Sequence, residues 1–268
     1  MSFTAQFLLD HSDTGQLWPG APSLGQPALD LATAYQRQLE VRALRIRRGE
    51  LPRGFKVGFT NRGIWARYAV FAPIWGTVWN TSLFFCTGKG ELSLAHCAQP
   101  RIEPEVVFGM RAQPALDASL QDLFDAIDWV APGFEIVQSH LAGWKFAAPD
   151  CVADGGLHAR LLVGRRIPLR ELARDAAQLD GLLAGVPVSL YKDETVLETG
   201  QGANVLDSPL RALHYFLSEL RQCPGAPDLM AGDVVTTGTW TDAWPVAPGE
   251  HWAARFGAPL ASLEVTFR

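Results

Sequence analysis

Two glutamates one residue apart stand inside an apolar run at positions 101–108. If this run is a β-strand, Glu103 and Glu105 project from the same face about 7 Å apart, because side chains alternate along a strand. Pro104 between them cannot donate a hydrogen bond to a neighbouring strand, which indicates an edge or a bulge. A third glutamate, Glu135, stands in a second apolar run that contains no other charge. Any fold of this chain has to place these acidic groups among Val, Ile and Phe side chains.

The three carboxylates need compensation if they face inward, since an ionised glutamate is costly to bury alone. A cluster of oxygen ligands suits a hard divalent ion such as Mg²⁺ or Mn²⁺. The competing interpretation is a strand that shows a polar face to water, which the Glu-x-Glu spacing alone favours because half-exposed strands are common. Pro104 and the uncharged surroundings of Glu135 favour the inward orientation. The sequence therefore indicates a metal-dependent enzyme.

The composition describes a chain that can bury a substantial core. It has 268 residues, of which 48% are hydrophobic and 19% charged, and this length fits one large domain or a small lobe packed on a larger one. The net charge is -5. Because phosphate binding needs a basic face, this charge argues against a nucleic-acid partner.

Cysteine spacing and hydropathy indicate a reducing compartment and no membrane contact. The four cysteines are dispersed without a C-x-x-C pair, so neither a zinc site nor a disulfide framework is implied. No apolar stretch reaches the roughly 18 residues of a membrane span, and the N-terminus lacks the basic start and long apolar core of a signal peptide. We expect a soluble cytoplasmic protein without a membrane partner.

Periodicity predicts three helices and a larger share of strand. Apolar residues at three- and four-residue intervals predict helices over 28–48, 119–129 and 208–221. Runs typical of strands lie at 101–109, 130–138, 158–164, 187–198, 233–238 and 251–267. Strands and helices do not alternate regularly, which argues against a doubly wound parallel sheet.

We therefore predict an α+β fold in which a helical N-terminal part leads into a mixed β core with flanking helices. Residues 1–75 form the helical part, which is not independent, and residues 76–268 form the catalytic core. The two together make a single structural unit.

Four segments occur in the order and spacing of one known family. They are Gly-Phe-Lys-Val-Gly-Phe-Thr at 54–60, Glu-Pro-Glu at 103–105, the stretch 135–150, and the stretch 232–239. From about position 35 to 267 the chain resembles the 2-keto-4-pentenoate hydratase and 4-oxalocrotonate decarboxylase family of the fumarylacetoacetate hydrolase superfamily. The resemblance implies the β roll of that superfamily for the core, and a homodimer or a larger homo-oligomer.

The resemblance also implies roles for individual residues. Glu103, Glu105 and Glu135 would bind Mg²⁺ or Mn²⁺, and the ion would chelate the carboxylate and 2-oxo oxygens of a small 2-oxo acid. A divalent cation on the ketone oxygen stabilises an enolate and makes C3 acidic. Lys56 would be a catalytic acid/base or a contact to the substrate carboxylate. Without the resemblance, a surface lysine in a turn is the plainer interpretation.

Further candidates come from the same resemblance. Lys145 and Asp150 match a Trp-Lys pair and a following Asp, and are implied as catalytic, with a structural ion pair as the alternative. Thr237 and Gly238 match a Thr-Gly pair whose hydroxyl and amide can hold a substrate carboxylate. The alternative for this pair is an ordinary turn.

Departures from the family pattern concern the step that follows metal binding. Pro-Asp-Phe-Gly in most hydratases is Pro-Ile-Trp-Gly here, so Ile74 stands where an acid is expected, and Asn and Ser are missing from 153–157. Trp75 would suit a bulkier substrate tail, and His158 could supply a lost proton-transfer function. We place both among the substrate-binding candidates, with core packing and a structural histidine as the alternatives.

The leading interpretation is a divalent-metal-dependent carbon–oxygen lyase, a hydratase of the 2-keto-4-pentenoate type, that acts on a 2-oxo or 2-hydroxydienoate acid in the catabolism of aromatic compounds. Decarboxylation of a 2-oxo acid, tautomerisation and hydrolysis of an acylpyruvate C–C bond share its first step and stay open. A non-catalytic partner that kept the fold is a hypothesis of another class, and a Trp-rich β domain that binds sugars is a further one.

Overall fold

The computed structural model of the protein describes residues 3–268. Within that range the helices are α1 (Ala5–Thr14), α2 (Leu31–Arg47), α3 (Trp65–Tyr68), α4 (Leu120–Ala126), α5 (Ala148–Ala153), α6 (Leu169–Leu172), α7 (Ala176–Gly185) and α8 (Pro209–Gln222). The strands are β1 (Pro52–Gly58), β2 (Ile74–Trp79), β3 (Leu83–Phe85), β4 (Lys89–Leu92), β5 (Arg101–Met110), β6 (Ile127–Val137), β7 (His158–Val163), β8 (Ile167–Pro168), β9 (Pro187–Lys192), β10 (Thr195–Gln201), β11 (Val234–Thr236), β12 (Trp244–Pro245), β13 (His251–Phe256) and β14 (Leu263–Phe267).

The strands of residues 3–268 form two mixed sheets. The larger has nine strands in the order β2-β1-β11-β5-β6-β7-β3, with β12 paired to β5 and β8 to β6. The smaller has five strands in the order β10-β9-β13-β14-β4. The pairs β1/β11, β3/β7 and β4/β14 are parallel, and the other pairs are antiparallel. The long antiparallel pair β5/β6 lies near the middle of the larger sheet.

Local sequence explains where the main helices begin. The Asp30 side chain accepts a hydrogen bond from the Thr33 amide and caps α2, and Ser208 does the same for the Arg211 amide in α8. Ser119 begins α4 with a capping box. Each cap satisfies backbone donors that have no partner within the first helical turn.

The main hydrophobic core lies between the sheets and the helices that cover them. Helix α8 packs on the larger sheet, where the ring of Phe216 lies 5.3 Å from that of Phe55 on β1. The smaller sheet approaches the larger one closely at Gly90, where a Cβ atom would lie 2.8 Å from Leu162. Removal of this apolar surface from water is the principal force that holds the layers together.

The predicted α+β class is confirmed, and α2, α4 and α8 coincide with the three predicted helices. The stretch 1–75 is not only helical, since β1 and the start of β2 lie in it and pair within the larger sheet. The division at residue 75 into one dependent part and one core stays a prediction. None of the helices between residues 3 and 268 has the length and apolar character that crossing a bilayer requires.

Candidate metal centre

Strands β5 and β6 bring three glutamates together. Their antiparallel register places Glu103 directly opposite Glu135, and Glu105 opposite Gly133. The three side chains share one face, because residues two apart on a strand and residues paired across strands point the same way. One carboxylate oxygen from each glutamate lies within 4.8 Å of the others.

The buried oxygens of this cluster fit a divalent cation. Glu105 and Glu135 have no exposed surface, and Glu105 Oε1 and Glu135 Oε2 have no hydrogen-bond partner among the described residues. Glu103 is half-buried and reaches a neighbouring cavity. Buried polar oxygens are nearly always hydrogen-bonded, whereas Glu105 Oε1 has no partner and Glu135 Oε2 has only the Lys56 ammonium group at 3.4 Å, so both oxygens have lone pairs that a cation could bind. A set of carboxylate oxygens suits a hard ion such as Mg²⁺.

The crowding of negative charge shifts the acidities of the cluster. Burial, opposed in part by Lys56, raises the pKa of Glu103 to about 7. Burial and the other two carboxylates raise the pKa of Glu105 well above its usual range. Burial acts on Glu135 in the same direction, but the charge of Lys56 and the hydrogen bond from His158 outweigh it and lower its pKa. Glu135 is therefore the member most firmly held as a carboxylate.

Lys56 on β1 supplies a buried positive charge to the cluster. Its side chain is 3% exposed, and Nζ lies 3.4 Å from Glu135 Oε2. Burial alone would lower the pKa of Lys56, but Glu135, Glu103 and Glu105 together raise it. Lys56 also lines the cavity, so its ammonium group faces both the carboxylates and the space beside them.

The turn at Thr237-Gly238 holds Glu105. Both backbone amides donate to Glu105 Oε2, at 3.0 Å from Thr237 and 2.7 Å from Gly238, and the Thr237 hydroxyl donates to the Val106 carbonyl at 3.0 Å. Gly238 has φ of 93°, and a Cβ there would lie 1.8 Å from Thr60 Oγ1. The sequence suggested that these groups hold a substrate carboxylate, whereas the structure directs them to the carboxylate of the protein itself.

His158 lies behind Glu135 and does not line the cavity. Its Nδ1 is 2.9 Å from Glu135 Oε1, and its Nε2 is 2.8 Å from Ser82 Oγ. Burial lowers the pKa of His158 although Glu135 acts in the opposite direction. The ring therefore contacts a carboxylate of the cluster and not the cavity.

A cavity of about 540 Å³ opens beside Lys56 and Glu103. Its aromatic lining consists of Phe59, Tyr68, Trp144, Phe146, Trp240 and Trp244. Trp75 is not part of it, since its indole is fully buried and stacks on Tyr35 at 4.8 Å in the core. Trp240 and Trp244 closely follow the Thr-Gly turn along the chain, which is a weak sequence signal for the indoles of the cavity.

Lys145 and Asp150 lie apart from the carboxylate cluster. The Lys145 side chain is exposed and does not line the cavity. Asp150 is buried, but its carboxylate accepts hydrogen bonds from the Ser23 amide at 2.8 Å, the Ser23 hydroxyl at 2.7 Å and the Ala147 amide at 2.8 Å. These contacts cap α5 and tie it to the segment before α2, which is a structural role.

The departures at 74 and 155–156 lie next to one another. Ile74 and Gly156 both line the cavity. A Cβ on Gly76 would lie 1.9 Å from the Gly155 carbonyl oxygen, so the backbone at 155–156 lies tightly against β2. Leu157, which stands at the position of the missing Ser, also lines the cavity, so apolar side chains form the part of the wall where the family pattern has an acid and a hydroxyl group.

Comparison with known proteins places the chain in context, although no family model matches it. It is 32% identical over 225 residues to a 4-oxalocrotonate decarboxylase of Pseudomonas sp, which covers 84% of this chain and 82% of that protein. It is 30% identical over 244 residues to a 2-keto-4-pentenoate hydratase of Burkholderia vietnamiensis, covering 90% and 87% of the two chains.

Solved structures resemble the chain over most of its length. A 4-oxalocrotonate decarboxylase from Pseudomonas putida G7, complexed with magnesium and adipate, superposes with a TM-score of 0.83 at 28% identity and covers 100% of this chain and 99% of that one. A fumarylpyruvate hydrolase from Pseudomonas aeruginosa shares the fold, with a TM-score of 0.62 at 15% identity over 81% of this chain and 89% of that one. The chain belongs to the 2-keto-4-pentenoate hydratase and 4-oxalocrotonate decarboxylase family.

Proposed function

We propose that the protein is a divalent-metal-dependent lyase, a hydratase of the 2-keto-4-pentenoate type that acts on a 2-oxo or 2-hydroxydienoate acid. The observation that carries this proposal is the pair of unpaired buried oxygens on Glu105 and Glu135, which lie beside the Lys56 ammonium group and an adjoining cavity. Hydratases and decarboxylases of such acids are among the relatives, and one related structure contains magnesium.

Glu103, Glu105 and Glu135 would hold Mg²⁺ or Mn²⁺, and the bound ion would polarise the 2-oxo group and make the neighbouring C–H acidic. Lys56 would give and take the proton at C3, and its position beside the carboxylates and the cavity supports this role. The indoles of Trp144 and Trp240 would exclude bulk water around the carbon chain.

Decarboxylation is the second candidate, and Ile74 favours it. Hydration has to position a water molecule, whereas in decarboxylation the leaving carboxylate departs as CO₂ and a proton takes its place on carbon. Ile74 lines the cavity where the family pattern for hydratases has an acid. An apolar wall supports the loss of a charged group better than the orientation of water. Tautomerisation and C–C hydrolysis need the same first step.

The test is exchange of the C3 protons of 2-oxo acids with deuterium, followed by ¹H NMR in the presence of Mg²⁺. We expect Glu105→Ala and Lys56→Ala to slow exchange by at least about 100-fold, the lower range for loss of a positioned acid or base. Product analysis with an unsaturated substrate separates a hydroxylated product from released CO₂. Exchange that neither substitution slows would overturn the proposed site.

A second experiment distinguishes the enzyme from a non-catalytic partner that kept the fold. Mg²⁺ together with oxalate should raise the melting temperature, because a ligand that binds only the folded state stabilises it. Stabilisation without exchange on any 2-oxo acid would favour the binding partner. A cytoplasmic location and a homodimer or larger assembly stay predictions, which fractionation and light scattering can test.

A further inference from the structure

A chain of three hydrogen bonds leads from the backbone of β2 to the metal centre. The Trp79 amide donates to Ser82 Oγ at 3.0 Å, Ser82 Oγ lies 2.8 Å from His158 Nε2, and His158 Nδ1 lies 2.9 Å from Glu135 Oε1. Ser82 and His158 are both buried, with His158 at the start of β7 and Ser82 in the turn before β3. The chain thus joins three strands behind the carboxylates.

The chemistry of its members gives the chain a single direction. An ionised Glu135 can only accept, so His158 Nδ1 has to carry the proton that it donates. In the neutral ring Nε2 then has a lone pair and accepts the hydroxyl proton of Ser82. Ser82 Oγ keeps its lone pairs for the Trp79 amide, and the other acceptor for its proton, the Trp79 carbonyl, is more distant at 3.2 Å. Each group has one role, which fixes the tautomer of the ring.

This arrangement makes the two oxygens of Glu135 unequal. Oε1 accepts a hydrogen bond from His158, and Oε2 has no hydrogen bond and lies 3.4 Å from Lys56 Nζ. The hydrogen bond from the imidazole therefore restrains the orientation in which Glu135 presents its oxygens to the cluster.

We propose that His158, oriented by Ser82, is the positioning residue that holds the Glu135 carboxylate in the orientation in which it would bind the metal ion. This inference rests on the proposed metal site. Groups that hold a metal ligand from behind set its orientation, and their loss typically weakens metal affinity by about 10- to 100-fold.

The first test measures Mg²⁺ and Mn²⁺ dissociation constants by calorimetry for wild type, His158→Leu, His158→Asn and Ser82→Ala. We expect His158→Leu to weaken binding by about 10- to 100-fold. His158→Asn should stay within about threefold of wild type, because the amide nitrogen of asparagine can donate from the position of Nδ1. His214→Asn is the matched control, since His214 lies on α8 and contacts the Ala118 carbonyl and not the cluster. Equal affinity of His158→Leu and wild type would refute the inference.

The second test needs no metal. Long-range ¹H–¹⁵N spectra of the histidine rings should show His158 as the neutral tautomer protonated at Nδ1, and Ser82→Ala should change its ring nitrogen shifts. A ring protonated only at Nε2 would contradict the proposal even if His158→Leu fails to fold. If wild-type protein binds no metal but shows the Nδ1 tautomer, the proposed function is wrong, whereas the hydrogen-bond chain is still supported.

Discussion

Lys56 Nζ lies 3.4 Å from Glu135 Oε2, and neither side chain is more than 3% exposed. With Glu103 and Glu105 ionised as well, the three carboxylates exceed the one ammonium group by two negative charges. A divalent ion would bring this balance to zero. The buried lysine therefore matches the site to an ion of charge two, because an uncompensated charge in the interior is strongly destabilising.

Replacement of Lys56 by methionine, which keeps the length of the side chain, should remove the proton carrier and leave the carboxylates uncompensated. We expect C3 exchange to fall by about 100-fold or more. The melting temperature of the metal-free variant should fall below that of metal-free wild type. Addition of Mg²⁺ should raise the melting temperature of the variant by more than it raises that of wild type. Differential scanning calorimetry with and without Mg²⁺ measures both shifts. A metal-free variant as stable as wild type would show that Lys56 does not compensate the cluster.

The raised pKa of Glu103 makes stability depend on pH in a defined window. Its pKa is about 7 in the folded protein against 4.5 in the unfolded chain. Between these values the folded state binds more protons, so the free energy of unfolding of the metal-free protein should fall as pH rises. The contribution of this one group is at most about 1.4 kcal/mol per pH unit.

Glu103→Gln isolates that contribution. We expect the free energy of unfolding of wild type, measured with urea in EDTA, to fall relative to that of the variant as pH rises from 4.5 to 7. Saturating Mg²⁺ should abolish this trend in wild type, since the metal binds the ionised form and releases the proton. A difference that does not vary with pH would mean that Glu103 titrates normally.

Gly238→Ala should damage both the turn and the grip on Glu105. A Cβ at this position would lie 1.8 Å from Thr60 Oγ1, and the backbone has φ of 93°. Gly232→Ala is a matched control, because its φ of 88° is similar but no atom lies within 4 Å of the added Cβ. The control should cost about 1–2 kcal/mol from backbone conformation alone. Gly238→Ala should cost more and also weaken Mg²⁺ binding, which calorimetry can show.

Asp150→Ala should lower stability without changing the metal centre. Its carboxylate accepts two hydrogen bonds from Ser23 and one from the Ala147 amide, and loss of a buried acceptor leaves donors unsatisfied at about 1–3 kcal/mol. We expect an unchanged Mg²⁺ dissociation constant. Lys145→Ala, on the exposed surface, should change stability by less than about 0.5 kcal/mol. Loss of C3 exchange in a folded variant at either position would instead support the catalytic role that the resemblance implies.

Arg101→Gln should reveal whether the substrate has a second carboxylate. Arg101 is two residues from Glu103 on the same face of β5 and lines the cavity, and its guanidinium group lies over the Trp144 ring at 4.3 Å. In residues 3–268 it forms no ion pair within 4.0 Å. Loss of a charge-assisted contact of about 1.5–3 kcal/mol should raise KM for a dicarboxylic 2-oxo acid by roughly 10- to 100-fold.

A monocarboxylic 2-oxo acid of similar length should be nearly unaffected by Arg101→Gln. Arg67→Gln, at the exposed part of the same cavity, serves as the comparison. Equal effects of Arg101→Gln on both acids would show that Arg101 does not select the distal group.

The sequence predicted β5 and β6 because both are long apolar runs, and the alternation of side chains then placed Glu103 and Glu105 on one face. Helix α7 was missed, since Gly181 and Gly185 weaken its pattern, and β1 was missed because its glycines resemble a turn. The partners of Glu105 could not be predicted. The amides that hold it lie 132 and 133 residues further along the chain, and only the pairing of β11 with β5 brings them there.

All three glutamates lie on the paired strands β5 and β6, and the register of this pair sets which way they point. This limits how the centre can change in evolution. A single residue inserted into or deleted from 101–110 or 127–137 would turn a carboxylate to the opposite side of the sheet. Length changes in the segments 61–73 and 239–246, which border the cavity, carry no such penalty. Changes of length that alter the cavity are therefore easier in these two segments than in the strand pair, which has to be inherited at constant length.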